Sequence, residues 1–183
     1  MRTILPLFLF LAGVAPAKAE AANILLRNRA RTLCEGFGPG FSKSPFASCD
    51  QLGGDARAIC EGVGVATSNS PFASCDKLRG DARDVCSGIA TAESTSPFAK
   101  CENLKGQANT ICAGWEYARS SSPFATCDKL SGDAALICQG VSYAYSDSPF
   151  ATCDKLAGAA GRLCYGLTYG KSTSPFATCD KLP

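Results

Sequence analysis

The chain has 183 residues, of which 18 are Lys or Arg, 16 are Asp or Glu, and none is His. This near-balance of charge excludes the clustered basic surface that nucleic-acid binding needs, so we expect no nucleic-acid partner. Without histidine, a Ser-His-Asp nucleophile is excluded, and so is the commonest nitrogen ligand of a zinc site.

Residues 1–19 have the organisation of a secretory signal peptide. Arg2 precedes the apolar run ILPLFLFLAGVA, and the letters AKA follow as a small-residue cleavage site. The apolar run is too short to span a bilayer, and no later stretch is long enough, so we expect no transmembrane segment after cleavage. The alternative is an uncleaved N-terminal anchor. The sequence therefore predicts a secreted or periplasmic protein whose mature chain is residues 20–183.

From residue 20 onward the chain is predicted to be a single array of repeats. The motif Ser-Pro-Phe-Ala recurs six times at a constant 26-residue step, from the copy at Ser44 to the copy at Ser174, without an insertion. A strict period of this length is typical of stacked repeat architectures. The basic residues Arg27, Arg29 and Arg31 lie near the mature N-terminus, and we interpret them as a polar end cap on the first helix of the array.

Each repeat contains a longer predicted helix. In the second unit, Ala56, Ile59, Cys60 and Val63 have the 3.6-residue spacing of an amphipathic helix, and the same pattern recurs in all six units. The Ser-x-Ser-Pro that follows must end this helix, because the residue before proline avoids the α region. In the first unit, the letters GFGPGF interrupt the pattern and predict a frayed, capping half-repeat. The predicted N-caps of the longer helices are Asp55, Asp81 and Asp133.

A shorter helix is predicted over the nonapeptide SPFATCDKL and its variants. Its serine is a suitable N-cap, its proline fits the first helical position, and Phe, Cys and Leu are expected to form one buried face. A glycine in the left-handed region ends it, at Gly53, Gly80, Gly106, Gly132 and Gly158. The fold class is therefore all-α, with six disulfide-stapled, 26-residue αα-hairpin repeats stacked as a short solenoid. A small irregular disulfide scaffold is the alternative, and strands are not expected because no alternating pattern is sustained.

The chain contains 12 cysteines, an even number behind an export signal, which indicates disulfides. Two regular pairings exist. In a pairing with an 11-residue step, the two cysteines lie at similar distances from the glycine turn between them, which suits the geometry of a disulfide. This pairing leaves Cys34 and Cys179 without partners, unless these two bond to each other and close a ring. A 15-residue step uses every cysteine, and we predict it for that reason. The predicted bonds are Cys34–Cys49, Cys60–Cys75, Cys86–Cys101, Cys112–Cys127, Cys138–Cys153 and Cys164–Cys179.

The sulfur atoms have a second interpretation. As thiolates they could bind a soft metal such as Cu(I) or Zn(II), or serve a redox function. There is no Cys-x-x-Cys motif and no histidine, and an exported chain meets oxidising conditions. We therefore predict no metal site and no cofactor, and a metal-binding or redox function remains the alternative.

One column of the longer helix is aromatic in the last three units. Tyr117, Tyr143 and Tyr169 each lie five residues after a helix cysteine, opposite the apolar stripe. Exposed tyrosines give a partner contact area and a hydroxyl at low entropic cost. With two further aromatic residues of these units, the candidate binding surface is Trp115, Tyr117, Tyr143, Tyr145 and Tyr169. The alternative is that these rings pack between neighbouring units, over recurring glycines such as Gly114.

The predicted function is an exported, non-enzymatic repeat protein whose rigid surface binds another macromolecule, either a protein or a cell-surface component. No catalytic residue is assigned, because the polar side chains recur with the repeat, whereas a catalytic pocket is made once. A further alternative is an enzyme whose site lies at Trp115–Arg119, the least periodic polar cluster of the chain.

Overall fold

The computed structural model describes residues 23–44, 47–174 and 176–183, and the predicted signal peptide lies outside these ranges. The described chain is all-α, as predicted, with no strand. It contains seven α-helices and six short 3₁₀ turns. None of these helices combines the length and the apolar character needed to cross a membrane. The helices are α1 (Ile24–Arg27), α2 (Ala30–Phe41), α3 (Gly54–Ala66), α4 (Gly80–Ala92), α5 (Gly106–Arg119), α6 (Gly132–Ala144) and α7 (Gly158–Lys171).

Helices α2 to α7 stack as the predicted solenoid, and the stack closes on itself as a ring. Each packs on the next helix along the chain, and α7 packs on α2. Gly36 and Gly40 of α2 approach Ile59 and Val63 of α3. Because both residue numbers increase together, these two neighbouring helices are parallel. At the seam between the last and first helices, Gly166 and Gly170 of α7 approach Leu33 and Phe37 of α2 in the same register.

Neighbouring helices of the ring touch through one recurring glycine, two residues after each helix cysteine. A Cβ atom at Gly114 would lie 2.7 Å from both the carbonyl oxygen of Ala134 and the Cβ of Ile137 on the next helix. That distance is shorter than a real carbon contact allows, so the interface requires a residue without a side chain. The equivalent glycines are Gly36, Gly62, Gly88, Gly114, Gly140 and Gly166.

Replacing Gly114 by alanine is expected to lower the free energy of unfolding by about 2 kcal/mol, because overpacking outweighs the gain in helix propensity. Gly64 is the matched control. A Cβ at this helical position meets no atom closer than 3.8 Å, so Gly64→Ala should raise the free energy of unfolding by about 0.5–1 kcal/mol. Urea unfolding followed by circular dichroism measures both. Equal effects of the two substitutions would contradict close packing at the recurring glycine.

The core fills the centre of the ring with two layers of apolar side chains. Each of the six helices contributes one residue directly before its cysteine and one residue three positions after it, which confirms the predicted apolar stripe. All twelve are at most 1% exposed. The first layer is Leu33, Ile59, Val85, Ile111, Ile137 and Leu163, and the second is Phe37, Val63, Ile89, Trp115, Val141 and Leu167.

The second core layer departs from the repeat for a geometric reason. Phe37 and Trp115 come from α2 and α5, which are three helices apart in the ring, and their ring centroids are 6.5 Å apart. They meet because all six helices direct their side chains of this layer into the same central space. Two large aromatic rings with four aliphatic side chains occupy it, where six large residues would overlap.

Helix α1 closes the end of the ring at which the six helices begin. Its residues Ile24, Leu25 and Leu26 are at most 1% exposed. Arg27 forms ion pairs with Asp55 of α3 and Asp81 of α4, at 3.1 and 2.6 Å, and its hydrogen bond lowers the pKa of Asp55. The predicted polar cap is therefore only partly polar. The apolar residues of α1 are buried against the ring, and Arg27 forms ion pairs with the helices around it. Arg31 pairs instead with Glu35 and Asp180.

The longer helices differ from the prediction at their N-terminal ends. The predicted caps Asp55, Asp81 and Asp133 lie within the first turn, where a carboxylate is favourable beside the positive end of the helix dipole. The residue with positive φ in the second unit is Gly54 (φ 53°) rather than Gly53. In the first unit, α2 continues through Pro39 to Phe41, so this unit is not the predicted frayed half-repeat.

The predicted shorter helix is reduced to a 3₁₀ turn of three residues that begins at its cysteine. Ser-Pro-Phe-Ala forms a separate turn, in which the amide of Ala73 donates to the carbonyl of Ser70. The phenylalanine is therefore not part of a helical face, and the prediction that it is buried is wrong. The 3₁₀ turns are Cys49–Gln51, Cys75–Lys77, Cys101–Asn103, Cys127–Lys129, Cys153–Lys155 and Cys179–Lys181.

All 12 cysteines form disulfides, and the predicted 15-residue pairing is wrong. Five bonds have the 11-residue step, and the two cysteines left over bond to each other across 145 residues, at the seam between α7 and α2. The requirement that every cysteine be paired did not distinguish the two schemes. The 11-residue scheme also pairs all 12 cysteines once the Cys34–Cys179 bond closes the ring. The observed bonds are Cys34–Cys179, Cys49–Cys60, Cys75–Cys86, Cys101–Cys112, Cys127–Cys138 and Cys153–Cys164.

Candidate interaction surface

The outside of the ring carries a belt of exposed phenylalanines, one from each Ser-Pro-Phe-Ala turn. Because these turns occupy one repeat position in a closed ring, the phenylalanines are distributed around its circumference. In five described units these side chains are between 75% and 85% exposed, and Phe46 of the first unit lies outside the described residues. The belt consists of Phe72, Phe98, Phe124, Phe150 and Phe176.

The local structure holds each phenylalanine in the same outward position. The hydroxyl of Ser70 accepts a hydrogen bond from the amide of Phe72 at 3.3 Å, which fixes the start of the turn. Three residues later, Cys75 is bonded to Cys86 in the middle of α4, which anchors the other end. The same serine contact recurs at 3.3 Å for Phe98, Phe124, Phe150 and Phe176.

The belt has charged neighbours of both signs. The ammonium group of Lys77 donates to the carbonyl oxygen of Phe72 at 2.9 Å, and Asp76 beside it pairs with Arg83 at 3.1 Å. In the fourth unit, the ammonium of Lys129 lies 6.0 Å from the ring centroid of Phe124, next to Asp128 in the chain. Since each of these lysines is preceded by an acid, the belt combines exposed apolar area with a small net charge.

Three of the predicted tyrosines lie on the outer face and are half-buried. Tyr143 and Tyr169 line one groove between α6 and α7, together with Tyr165 and Asp154. The hydroxyl of Tyr165 donates to the carboxylate of Asp154, and this hydrogen bond raises the pKa of Tyr165. Tyr117 lines a separate groove beside α5. Tyr169 lines this groove and also packs against the cluster formed by Ala30, Cys34 and Leu182.

The other two predicted surface residues lie at the open end of the ring, where the six helices end. Trp115 is 1% exposed, so its assignment to an exposed surface is wrong. Its indole nitrogen donates to the carboxylate of Glu93 at 2.7 Å. Tyr145 packs edge-on against Trp115, with centroids 6.1 Å apart, and its own burial raises its pKa to about 12.

Two cations flank the ring of Tyr145. The guanidinium carbon of Arg119 lies 4.1 Å from the ring centroid, and the ammonium nitrogen of Lys171 lies 3.1 Å from it. Arg119 also approaches Glu93 at 3.5 Å. Trp115 and Arg119 of the predicted Trp115–Arg119 cluster therefore meet at this end, whereas Glu116 and Tyr117 line the outer groove.

These end residues share one repeat position, seven residues after the helix cysteine, and this signal was present in the sequence but missed. The amino acid at this position differs in every unit. Four of the six side chains contact one another at this end, since Arg119 and Lys171 flank Tyr145 and Arg119 approaches Glu93. A column that never repeats within an otherwise regular array indicates side chains whose surroundings differ from unit to unit. The column is Phe41, Thr67, Glu93, Arg119, Tyr145 and Lys171.

The cysteines offer no thiolate ligand in the disulfide-bonded form. The sulfur atoms of Cys101 and Cys112 lie within 4.8 Å of a carboxylate oxygen of Glu116, but the two sulfurs are bonded to each other. A soft-metal site at this cluster would require reduction of that bond first.

The fold and the surface together define a disulfide-rich helical repeat protein. Comparison of the chain with protein-family models, with curated proteins and with solved structures gave no match.

Proposed function

We propose that this chain is an exported, non-enzymatic scaffold that binds another protein through the phenylalanine belt. The observation that supports the proposal is that five equivalent phenylalanines are more than two-thirds exposed while their backbone is held by identical contacts. Single exposed apolar side chains are ordinary on protein surfaces. A regular set of them, each of which places a large aromatic ring in water, favours an interaction surface.

The ring geometry gives this surface its binding advantage. Neighbouring phenylalanines lie in turns that are each followed by a cysteine bonded to a helix of the ring, so their spacing is set by a cross-linked framework. A partner that meets two or three of them loses little additional freedom after the first contact, which raises the overall affinity by avidity. The half-buried tyrosines beside the belt extend the contact area with polar groups.

The charge near the belt favours a protein partner over a membrane surface. Binding to an anionic bilayer uses clusters of Lys and Arg without nearby acids. Here Lys77, Lys129, Lys155 and Lys181 are each preceded by an aspartate, so attraction to anionic lipid is weak. Six disulfides support a location in an oxidising compartment, either secreted or periplasmic, where such a partner would be met.

The test is a capture experiment with the oxidised, full-length mature protein and material from the compartment in which it is found. The variant Phe72→Ser/Phe98→Ser/Phe124→Ser removes three adjacent members of the belt. We expect it to lose at least about tenfold in affinity for a partner that the unchanged protein retains, because aromatic residues dominate interface energetics. Its urea unfolding midpoint should stay unchanged, since these side chains are exposed.

Two further variants complete the design. Arg79→Ser/Lys105→Ser alters exposed charged positions that contact no phenylalanine of the belt, and this charge variant should bind normally. Tyr117→Phe/Tyr143→Phe/Tyr169→Phe keeps the rings and removes the hydroxyls, so it reports the contribution of the grooves. Equal affinity of the phenylalanine variant and the unchanged protein would contradict the proposal, and so would equal losses in the phenylalanine and the charge variants.

A further inference from the structure

One disulfide of the ring, Cys101–Cys112, has a carboxylate directly beside it. An oxygen of Glu116 lies 3.1 Å from the sulfur of Cys101. This sulfur is bonded to the sulfur of Cys112 and carries no hydrogen, so the contact is not a hydrogen bond. Within the described part of the chain, no Lys or Arg forms an ion pair with Glu116. The carboxylate therefore places a negative charge against a sulfur of the disulfide.

The repeat geometry explains this contact. Glu116 lies four residues after its helix cysteine, and the residue at the same position of α7 is Thr168. The hydroxyl oxygen of Thr168 lies 3.7 Å from the sulfur of Cys153, which is the counterpart of Cys101 in that unit. Two units therefore show that a side chain at this position reaches the outer sulfur of its own disulfide. Only Glu116 is charged among the six residues of this column. The others are Gly38, Gly64, Ala90, Ser142 and Thr168.

An external thiol reaches this disulfide through Cys101. Cys112 is 0% exposed in the middle of α5, whereas Cys101 is partly exposed. Cys101 also lines a cavity of about 390 Å³ beside α5. The side-chain amide of Asn109 donates to the carbonyl oxygen of Cys101 at 2.7 Å, which holds the turn against the helix. A small molecule in this cavity therefore meets the sulfur of Cys101 first.

The lining of the cavity has a net negative charge. Glu102 and Glu116 contribute two carboxylates, and Lys100 contributes one ammonium group. The attacking form of a thiol is the thiolate, which is itself an anion, so Glu116 repels it at Cys101. A second negative group on the attacking molecule increases this repulsion, and a positive group offsets it. A unit charge about 4 Å away in water changes a rate about fivefold.

We propose that Cys101 is a site of thiol–disulfide exchange that selects positively charged thiols over negatively charged ones. The thiolate attacks the sulfur of Cys101, a new sulfur–sulfur bond forms between them, and the bond to Cys112 breaks. The electron pair of the broken bond passes to Cys112, whose thiolate takes a proton from water. The co-reactant is a thiol with an ammonium group close to its sulfur. This inference does not depend on the function proposed for the phenylalanine belt.

The experiment treats the oxidised mature protein, at low ionic strength, with one of two small probe thiols. Cysteamine carries an ammonium group, and mercaptoethanesulfonate carries a sulfonate. Acid stops the exchange, and peptide mass spectrometry gives the rate at each disulfide. The rate at Cys101–Cys112 is divided by the rate at Cys75–Cys86, which cancels the intrinsic reactivity of each thiol. We expect this ratio to be at least about fivefold higher for cysteamine. Equal ratios for the two thiols would overturn the proposal.

Two reciprocal substitutions assign the effect to the carboxylate. Glu116→Gln keeps the shape of the side chain and removes its charge, so the ratios for the two thiols should then agree within about twofold. Glu116 is exposed, so this variant is expected to keep the fold. Ala90→Glu adds a carboxylate at the equivalent position of α4 and should create the same preference at Cys75–Cys86. Salt at about 1 M should weaken the preference in the unchanged protein, because it shortens the Debye length to about 3 Å.

Persistence of the cysteamine preference in Glu116→Gln would overturn the proposal, and so would its absence at Cys75–Cys86 in Ala90→Glu. Both variants retain every phenylalanine of the belt. A failure of this inference therefore leaves the protein-binding role of the belt unaffected, and loss of belt binding leaves the exchange rates unaffected.

Discussion

The double substitution Cys34→Ala/Cys179→Ala is expected to lower the free energy of unfolding by about 5 kcal/mol. This bond joins the first and last helices of the ring and closes a loop of 145 residues. In the chain-entropy model, the stabilisation by a disulfide increases with the logarithm of the loop length, because a longer loop has more freedom to lose in the unfolded chain.

The matched control is Cys75→Ala/Cys86→Ala, which opens a loop of 11 residues and should cost about 3 kcal/mol or less. Guanidinium unfolding, with circular dichroism and tryptophan emission as independent signals, measures both variants. A free-thiol titration of the denatured, unreduced protein should find no thiol in the unchanged chain or in either variant. Larger destabilisation by the short-loop variant, or a peptide map with the 15-residue pairing, would contradict the closed ring.

The helices of the ring could be predicted from the sequence, but its closure could not. Ile59, Cys60 and Val63 define a helical stripe by local spacing alone, and the structure confirms it. The partner of Cys34 depends instead on whether the two ends of the array meet. That property depends on whether the rotations between successive neighbouring helices add up to one full turn, and no single repeat contains it. The recurring glycine at Gly88 and its equivalents was a visible sign of close helix approach, but not of a full turn.

The substitution Trp115→Ala is expected to lower the free energy of unfolding by about 4 kcal/mol. Trp115 is 1% exposed, packs between Phe37 and Tyr145, and fills the space that the six helices share. Removal of the indole leaves a cavity that no neighbouring side chain can fill, and it deprives Glu93 of its hydrogen-bond donor at 2.7 Å. Because this is the only tryptophan of the chain, circular dichroism should follow the unfolding.

Tyr117→Ala is the matched control on the same helix. Tyr117 is half-buried in the outer groove, two residues after Trp115, and its loss should cost less than about 1 kcal/mol. If the two substitutions destabilised the protein equally, the assignment of Trp115 to the centre of the ring would be wrong. Retention of full stability by Trp115→Ala would contradict it in the same way.

The candidate surface was predicted in part, and two aromatic side chains were misplaced for different reasons. Tyr143 and Tyr169 lie on the outer face because their helix forms as predicted, so the angular argument applies to them. Phe72 was assigned to the core on helical spacing, but its segment is a turn held by Ser70 and Cys75, where that spacing has no meaning. Trp115 lies three residues after its helix cysteine, as Val63 does, so the predicted apolar stripe already placed it in the core, and its assignment to the surface disagreed with that stripe.

The closed ring also limits how many copies of the 26-residue unit the chain can hold. An open array gains or loses a unit at little cost, because each unit meets only its neighbours. Here one more repeat would add a seventh helix to the six-helix ring. The central space would then be too wide for Phe37 and Trp115 to fill, and Cys34 would be separated from Cys179. Loss of one unit would crowd the same side chains. Duplication or deletion of a whole repeat, although it preserves every local contact, therefore yields a chain that cannot join its own ends.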